Sequence, residues 1–324
     1  MKKNVMLAGI RATGKLHIGN YLGALKQFVE LGNDPKNECY FFVADLHALT
    51  TPFEPDQLRH DTLEVVAEYI AAGLDPKKSA LFLQNHVSEH AELAWIFNCI
   101  TPLGELERMT QFKDKSKQHK ENINAGLLTY PTLMAADILM YKPNGVPVGD
   151  DQVQHIELAR IVARKFNNKF GQTFPEPKPY ERKPLRIMSL KNPEKKMSKT
   201  GDDALWISDS PDEISRKLKK AVTATDGSGS AGVENLLLLL RHFGTKQQIQ
   251  YFEDGVKQDT IKYSELKDTL AKEIADHFAD FRERKRELLS DKNKLASILA
   301  DGAGRARQTA QTTLLEVKKK IGLL

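Results

Sequence analysis

Residues 5–25 read VMLAGIRATGKLHIGNYLGAL, and the architecture follows from the order of their properties. An apolar run from Val5 to Ile10 comes first, then a turn that contains Gly14, and then a helix-like stretch from Gly19 to Leu31. A short apolar run bounded by turn residues is typical of a buried strand, and glycine favours a turn. The segment therefore predicts a strand, a glycine turn and a helix.

The same alternation continues along the chain. A second apolar run, Cys39 to Ala44, precedes an amphipathic stretch over residues 55–72, and a third, Leu81 to Leu83, follows the break at residues 73–76. Strands that alternate with helices at this spacing predict an α/β fold with a doubly wound parallel sheet. Ligands are then expected at the carboxyl ends of the strands.

The rest of the chain predicts a second domain. Residues 167–193 are rich in Pro, Gly and Lys, which is typical of a long connection. From Pro211 onward the pattern is mostly helical, with breaks expected at residues 226–232, near Gly255 and near Gly302. We therefore predict a catalytic domain over residues 1–200, with an inserted helical connective region, and an all-helical C-terminal domain over residues 201–324.

Composition excludes several classes of protein. The chain has 324 residues, 40% of them hydrophobic, and only two cysteines, Cys39 and Cys99, so a disulfide scaffold and a thiolate-bound zinc or iron–sulfur cluster are not expected. Apolar runs long enough to span a bilayer are missing, and a cytoplasmic protein is predicted.

The net charge is only +5, but residues 160–199 hold twelve Lys or Arg and three acids. Such a block forms either a solvated face or a surface for a polyanion.

The first candidate site is His17-Ile18-Gly19-Asn20, just after the first predicted strand. The start of a helix presents unpaired N–H groups, and glycine lets a phosphate approach closely. His17 and Asn20 can both donate hydrogen bonds to phosphate oxygens. The alternative is a tight turn with a surface histidine.

The second candidate site is Lys195-Lys196-Met197-Ser198-Lys199-Thr200. Lys196 and Lys199 are three residues apart in a basic segment, where they can stabilise the negative charge that builds on departing pyrophosphate. The alternative is a solvated run of charges. The occurrence of both candidate sites in one chain favours the functional interpretation.

The third candidate site surrounds Asp137. Tyr130, Met134, Asp137 and Tyr141 recur at helical spacing, and Pro131 predicts that the helix begins there. A carboxylate in an apolar stripe needs a donor, and the indole N–H is a donor only, so tryptophan is an apt ligand. Alternatively, Asp137 pairs with an arginine or caps a backbone, and the stripe is ordinary core.

These segments resemble a known family. Residues 17–20 and 196–200 are similar to the His-Ile-Gly-His and Lys-Met-Ser-Lys-Ser signatures of class I aminoacyl-tRNA synthetases. This chain has Asn20 and Thr200 at the last position of each, and Ala12 where proline is common. Residues 104–113, 126–139 and 146–152 resemble the tryptophanyl-tRNA synthetases specifically, and the likeness extends over essentially the whole chain.

The resemblance implies a role for individual residues. Asp137 would accept the indole N–H, and the residues that shape the amino acid site would be His47, Tyr130, Met134 and Gln152. The residues that hold ATP would be Arg11, Ala12, Thr13, Gly19, Asn20, Gly149, Asp150, Asp151, Ile187, Lys196, Met197, Ser198, Lys199 and Thr200. His17, Lys196 and Lys199 would stabilise the reacting phosphates, and Lys113 is a further candidate. Asp150 and Asp151 would alternatively form a metal-binding pair.

The implied reaction is attack of the tryptophan carboxylate on the α-phosphorus of Mg²⁺-bound ATP, followed by transfer to the 2′-hydroxyl of the terminal ribose of tRNA(Trp). Apart from substrate-borne Mg²⁺, no metal or cluster is expected. The resemblance also implies a homodimer and an anticodon-binding role for the helical domain over residues 201–324. Basic segments such as Arg282–Arg286, with Arg305 and Arg307, would contact the anticodon arm unless they are exposed helix faces. Tyrosyl-tRNA synthetase, a nucleotidylyltransferase and a non-catalytic paralogue are the competing interpretations.

Overall fold

The structure is a computed structural model that describes residues 3–12, 14–118, 123–147, 149, 152–180, 185–199, 204–223 and 231–324. The chain divides into two compact units, Met1–Gly14 with Phe28–Lys183 and Asp291–Leu324, and Lys15–Gln27 with Pro184–Ser290. Compactness therefore divides the chain differently from the predicted boundary at residue 200. The predicted anticodon-binding role of residues 201–324 stays a prediction.

The strands are β1 (Asn4–Ile10), β2 (Asn37–Val43) and β3 (Ala80–Leu83). The helices are α1 (Ile18–Asn20), which continues into a π-helical turn (Tyr21–Leu25), then α2 (Lys26–Asn33), α3 (Asp45–Ala48), α4 (Pro55–Ala71), a 3₁₀ turn (Gln84–His86), α5 (Glu89–Asn98), α6 (Leu103–Glu107), α7 (Thr110–Gln118), α8 (Ala125–Met140), α9 (Val153–Phe170), α10 (Pro211–Lys219), α11 (Ala231–Phe243), α12 (Lys246–Lys257), α13 (Tyr263–His277), α14 (Ala279–Ser290) and α15 (Lys292–Ile321).

The first unit is built on a parallel sheet in the order β1-β2-β3. Met6 lies opposite Cys39, and Tyr40 lies opposite Ala80. Strand β2 is central, and its last five residues are all buried, as its apolar run requires. The sheet and its crossover helices confirm the predicted α/β fold class, and all three predicted strands are present.

Helix α15 packs directly on the sheet. A Cβ added to Gly302 would lie 2.0 Å from the backbone oxygen of Leu81 in β3. Only glycine permits this approach. Gly302 lies inside a continuous helix of 30 residues. The predicted break near Gly302 is wrong, because this glycine serves close packing between a helix and a strand.

Helix α8 begins earlier than predicted. Asn124 is its N-cap, and the Asn124 side chain accepts a hydrogen bond from the Leu127 amide at 2.9 Å. Pro131 is therefore inside the helix and not in its first turn, and the prediction from Pro131 is wrong. The better signal was asparagine, which caps helices through its side-chain oxygen.

The larger segment of the second unit, Pro184–Ser290, contains helices α10 to α14. Helix α13 packs against α10 and α11, and the buried Leu266, Leu270 and Ile274 supply its apolar face. Helix α12 ends at Lys257, close to the break predicted near Gly255, and α11 already includes Gly232. In the first unit, α9 continues to Phe170, so the connection predicted from residue 167 begins later.

Three further observations bear on the composition. Among the helices of the described residues, each is too short or too polar to cross a membrane. Cys39 is a buried free thiol and Cys99 an exposed one. Burial, with the charges of Asp34 and Glu38, raises the pKa of the Cys39 thiol to about 12, so this thiol stays protonated and unreactive.

Candidate active site

Asp137 lies in α8 and is 1% exposed. Its Oδ1 accepts hydrogen bonds from Gln84 Nε2 at 2.7 Å and His90 Nδ1 at 2.6 Å, and its Oδ2 accepts one from His47 Nε2 at 2.9 Å. His47 follows β2 and Gln84 follows β3, so two of the three donors come from the predicted carboxyl edge of the sheet. Among the described residues, neither an arginine nor a backbone amide is recorded as the partner of Asp137.

The Asp137 carboxyl group is ionised despite its burial. Burial raises its pKa, but the hydrogen bonds from His47 and His90 and the charges of these residues outweigh that effect and lower it to about 2. An ionised carboxylate accepts hydrogen bonds and donates none. The site therefore presents a fixed acceptor to any ligand that reaches it.

An aromatic side chain packs against His47, one of the donors to this acceptor. The ring of Tyr130 meets that of His47 edge-on, with centroids 6.1 Å apart, and the Tyr130 hydroxyl lies 3.0 Å from His155 Nε2. Met134 is partly buried against the hydrophobic core. Direct contacts thus join three of the predicted tryptophan-binding residues, Asp137, His47 and Tyr130. Gln152 is the N-cap of α9.

A cavity of the first unit is bounded by His47 on one side. Arg11, Ala12 and Lys115 also line it. Lys115 Nζ lies 4.8 Å from the centroid of the Tyr130 ring, and burial, with the charge of Arg11, lowers the pKa of Lys115 to about 8. Lys113, the predicted phosphate contact on the same helix, is exposed, as is Gly149. The predicted sites Thr13, Asp150 and Asp151 lie outside the described residues.

In the second unit, His17 is the N-cap of α1 and is 4% exposed. Its Nδ1 accepts a hydrogen bond from the Asn20 amide at 3.3 Å, and the Asn20 side chain accepts one from the His17 amide at 3.2 Å. Burial, with the charges of Lys199 and Lys196, lowers the pKa of His17 to about 4. At neutral pH the ring is therefore neutral and carries its proton on Nε2.

The lysine segment pairs with residues 187–189. The Met197 amide donates to the Ile187 oxygen at 3.0 Å, and both side chains are buried, whereas Lys196 and Ser198 are exposed. A Cβ added to Gly19 would lie 3.0 Å from the His17 ring and 3.5 Å from Ile187 Cβ. The structure therefore brings Gly19, His17 and Ile187 together. Thr200 lies outside the described residues.

The basic residues predicted to contact RNA already have protein partners. Arg305 donates to the backbone oxygen of Ser79 at 3.0 Å, Arg307 to that of His86, and Arg282 to that of Ala275 at 2.7 Å. Arg305 and Arg307 thus tie α15 to the residues on either side of β3, and Arg282 ties α14 to α13. Their contact with an anticodon arm stays a prediction.

Comparison with known proteins identifies the family. The family described as "tRNA synthetases class I (W and Y)" matches residues 1–290, which is most of the chain. The chain belongs to this family. A class I tRNA synthetase of this group requires a pocket for an aromatic amino acid and groups that bind phosphate.

Relatives within the class I tRNA synthetases are similar over the full length. The tryptophan–tRNA ligase of Caldanaerobacter subterraneus subsp. tengcongensis is 47% identical, with 98% of each chain covered, and that of Clostridium tetani is 44% identical, with 99% of this chain and 96% of the other covered. The tryptophanyl-tRNA synthetase of Campylobacter jejuni, solved with ADP and tryptophan, has a TM-score of 0.88 and 33% identity, covering 98% of this chain and 99% of that one. These findings confirm the predicted family, fold class and ligase activity.

Three residues of this synthetase were missed by the sequence reasoning: Gln84, His90 and Lys115. Gln84 directly follows β3, where the carboxyl-edge rule could have found it. His90 shares one face of α5 with Leu93, Ala94 and Phe97, so helical spacing signals a buried polar group in need of a partner. Lys115 has no signal that separates it from Lys113, because only the helix orientation decides which lysine reaches the cavity.

Proposed function

We propose that this synthetase activates L-tryptophan with Mg²⁺-bound ATP, releases pyrophosphate, and transfers tryptophan from the adenylate to the terminal ribose of tRNA(Trp). The observation that carries the proposal is Asp137, an ionised carboxylate that is buried among aromatic side chains. A buried acceptor of this kind selects a ligand with an N–H at the matching position of an aromatic ring.

Recognition of the amino acid belongs to the first unit. Asp137 accepts the indole N–H, and His47, Tyr130, Met134 and Gln152 shape the site. Phenylalanine has no donor for the carboxylate, so its binding would leave a buried charge with one partner fewer. That loss costs roughly 1 to 3 kcal/mol, which is the basis of discrimination.

Stabilisation of the phosphates belongs to the second unit. His17 donates from Nε2, and Lys196 and Lys199 neutralise charge as pyrophosphate departs. The remaining nucleotide contacts proposed in this unit are Gly19, Asn20, Ile187, Met197, Ser198 and Thr200. Phosphoryl chemistry of this type depends on positioning and charge, so these residues act without a covalent intermediate on the protein.

The first unit also contains proposed nucleotide contacts. These are Arg11, Ala12, Thr13, Gly149, Asp150 and Asp151. We place Lys115 beside Lys113 as a candidate phosphate ligand, because Lys115 lines the cavity that holds Arg11. Its lowered pKa indicates a cation that is poorly hydrated, and such a cation gains from an anionic partner.

The protein is proposed to be a cytoplasmic homodimer. Trp95 is 69% exposed and Leu49 46% exposed, and together with Ala91, Ala94 and Leu133 they line an apolar depression. Exposed apolar patches of this kind mark protein interfaces. Sedimentation of the wild type and of Trp95→Glu should show a dimer and a monomer respectively.

Pyrophosphate exchange with each standard amino acid tests the activity. Exchange is expected with tryptophan alone, followed by charging of tRNA(Trp). Tyrosine is the decisive competitor, because the family includes enzymes for both amino acids. Exchange with tyrosine at a comparable kcat/KM would refute the proposal.

A further inference from the structure

A chain of hydrogen bonds links Asp137 to the buried side chains of His90 and Tyr141. His90 is fully buried, with its Nδ1 2.6 Å from Asp137 Oδ1 and its Nε2 2.8 Å from the hydroxyl of Tyr141. The rings of Phe42 and Phe82 lie next to that of the histidine, with centroids 5.9 and 6.1 Å away. Since aromatic rings offer no hydrogen bonds of comparable strength, the two ring nitrogens are committed to these two partners.

The direction of these hydrogen bonds follows from which atoms carry a hydrogen. Burial, together with the negative charge of Asp137, raises the pKa of the Tyr141 hydroxyl, so it keeps its single hydrogen. The carboxylate is an acceptor only, so His90 must donate through Nδ1. When the ring carries one hydrogen, Nε2 then accepts the hydrogen of Tyr141. The hydroxyl thereby selects the tautomer of His90 that donates to Asp137.

The two oxygens of Asp137 have different partners. Oδ1 is held by Gln84 and His90, which are both fully buried, whereas Oδ2 contacts His47, whose side chain is 13% exposed and lines the cavity. A ligand that enters from the cavity therefore meets Oδ2. The partners of Oδ1 fix the plane of the carboxylate and so fix the direction in which Oδ2 points.

Building on the proposed recognition of tryptophan by Asp137, we propose that His90, oriented by Tyr141, is a positioning residue that sets specificity for a ring N–H. His90 holds Oδ1, and the carboxylate then presents Oδ2 to the indole nitrogen in place of the His47 ring. His90 does not touch the amino acid. Its effect is therefore confined to ligands that donate to Asp137.

This restriction makes the proposal testable with a matched pair of ligands. L-tryptophan and 3-(3-benzothienyl)-L-alanine have nearly the same shape, but the second has sulfur in place of the ring N–H. The readout is the ratio of their kcat/KM values in pyrophosphate exchange. A merely structural role of His90 would lower both values together and leave the ratio unchanged.

In His90→Leu, the donor to Oδ1 is lost from a buried site. The ratio is expected to fall about 10-fold or more, as loss of a hydrogen bond to a charged group implies, while kcat/KM for the sulfur analogue stays within about 2-fold. Tyr141→Phe removes a single hydroxyl oxygen, which is farther from the ligand than His90. The ratio is expected to fall about 3-fold, because a neutral hydrogen bond is lost. Because Tyr141→Phe keeps the ring, it decides the question if His90→Leu fails to fold.

Tyr40→Phe is the matched control. Tyr40 stacks on Tyr141 with centroids 4.4 Å apart and is equally buried, but its hydroxyl bonds Glu38 and Thr309. Its ratio should equal that of the wild type. An unchanged ratio in both His90→Leu and Tyr141→Phe would overturn the proposal, as would an equal fall in Tyr40→Phe and Tyr141→Phe. A wild type with no preference for tryptophan over the analogue would instead refute the role of Asp137, and the proposal with it.

Discussion

The pocket around Asp137 and the lysine segment around Met197 use charge in opposite ways. Asp137 is buried, and each of its oxygens has a side-chain donor within 2.9 Å. Lys196 is exposed, and the segment is anchored through the buried Met197. A buried charge must be held by permanent partners, whereas an exposed charge keeps its hydration until a substrate arrives.

Selection of the amino acid and stabilisation of the reaction therefore depend on charges in different surroundings. Selection of an aromatic ring by its N–H needs an acceptor whose direction does not change, so it belongs in a core. Stabilisation of departing pyrophosphate needs positive charge that is available to a transient anion. The comparison predicts that substitutions at the lysines change kcat, and that substitutions around Asp137 change the choice of amino acid.

The largest effect is expected for Lys199→Ala. Removal of one charged group that acts on the transition state should lower kcat for pyrophosphate exchange by about 100- to 1000-fold, with the KM for tryptophan nearly unchanged. The matched control is Lys195→Ala, an exposed lysine of the same segment that is not among the proposed nucleotide contacts. Similar losses in the two variants would show that general charge, and not position, is what matters.

Asp137→Asn tests the pocket. It keeps the shape but removes the charge, and the preference for tryptophan over phenylalanine should fall about 10- to 100-fold, since a hydrogen bond to a charged acceptor is weakened. Steady-state kcat/KM for both amino acids measures this preference. If the preference persists while kcat alone falls, Asp137 has been assigned to the wrong step.

Gly302→Ala tests whether the pocket depends on its packing. The added Cβ would clash with the Leu81 oxygen in β3, whose last residue precedes Gln84, so a destabilisation of about 3 kcal/mol and a raised KM for tryptophan are expected. Gly304→Ala is the control in the same helix, because nothing lies within 4 Å of its added Cβ. That variant should be more stable by about 0.5 to 1 kcal/mol. Urea unfolding compares the three proteins, and equal effects would contradict the packing argument.

The smallest effect concerns pH. The pKa of His17 is lowered to about 4, so between about pH 6.5 and pH 4 the unfolded chain binds a proton that the folded chain does not. The free energy of unfolding should therefore decrease as the pH is lowered through this window. This group should account for roughly 1 to 2 kcal/mol between pH 7 and pH 5. His17→Asn should lack that part of the slope. Urea unfolding at the two pH values, with identical slopes in both proteins, would refute the assignment.

Local patterns predicted much of this protein. The apolar runs located all three strands, since a buried parallel strand must be almost continuously apolar. Glycine was harder to interpret, because the same residue type marks a break and a close approach. Gly302 was taken for the first and proved to be the second, since the neighbour that requires glycine, Leu81, is more than two hundred residues away in the chain.

In the candidate site, the sequence identified the buried acid but not the residues that bond to it. Asp137 was found from the sequence because a carboxylate in an apolar helix face demands a donor. The donors themselves, His47, Gln84 and His90, come from three other elements. The lone buried histidine and the glutamine after β3 left signals in the sequence, but neither signal names its partner.

The amino acid sequence alone determined the fold class, the family resemblance and the presence of an acid that needs a donor, because periodicity and short motifs are local properties of the chain. Only the tertiary structure decided which donors Asp137 receives, which of its oxygens bonds the cavity-lining His47, and which lysine of α7 lies beside Tyr130. Those facts depend on distances between elements that are far apart in sequence, and hydrogen bonds form only where such distances close to about 3 Å.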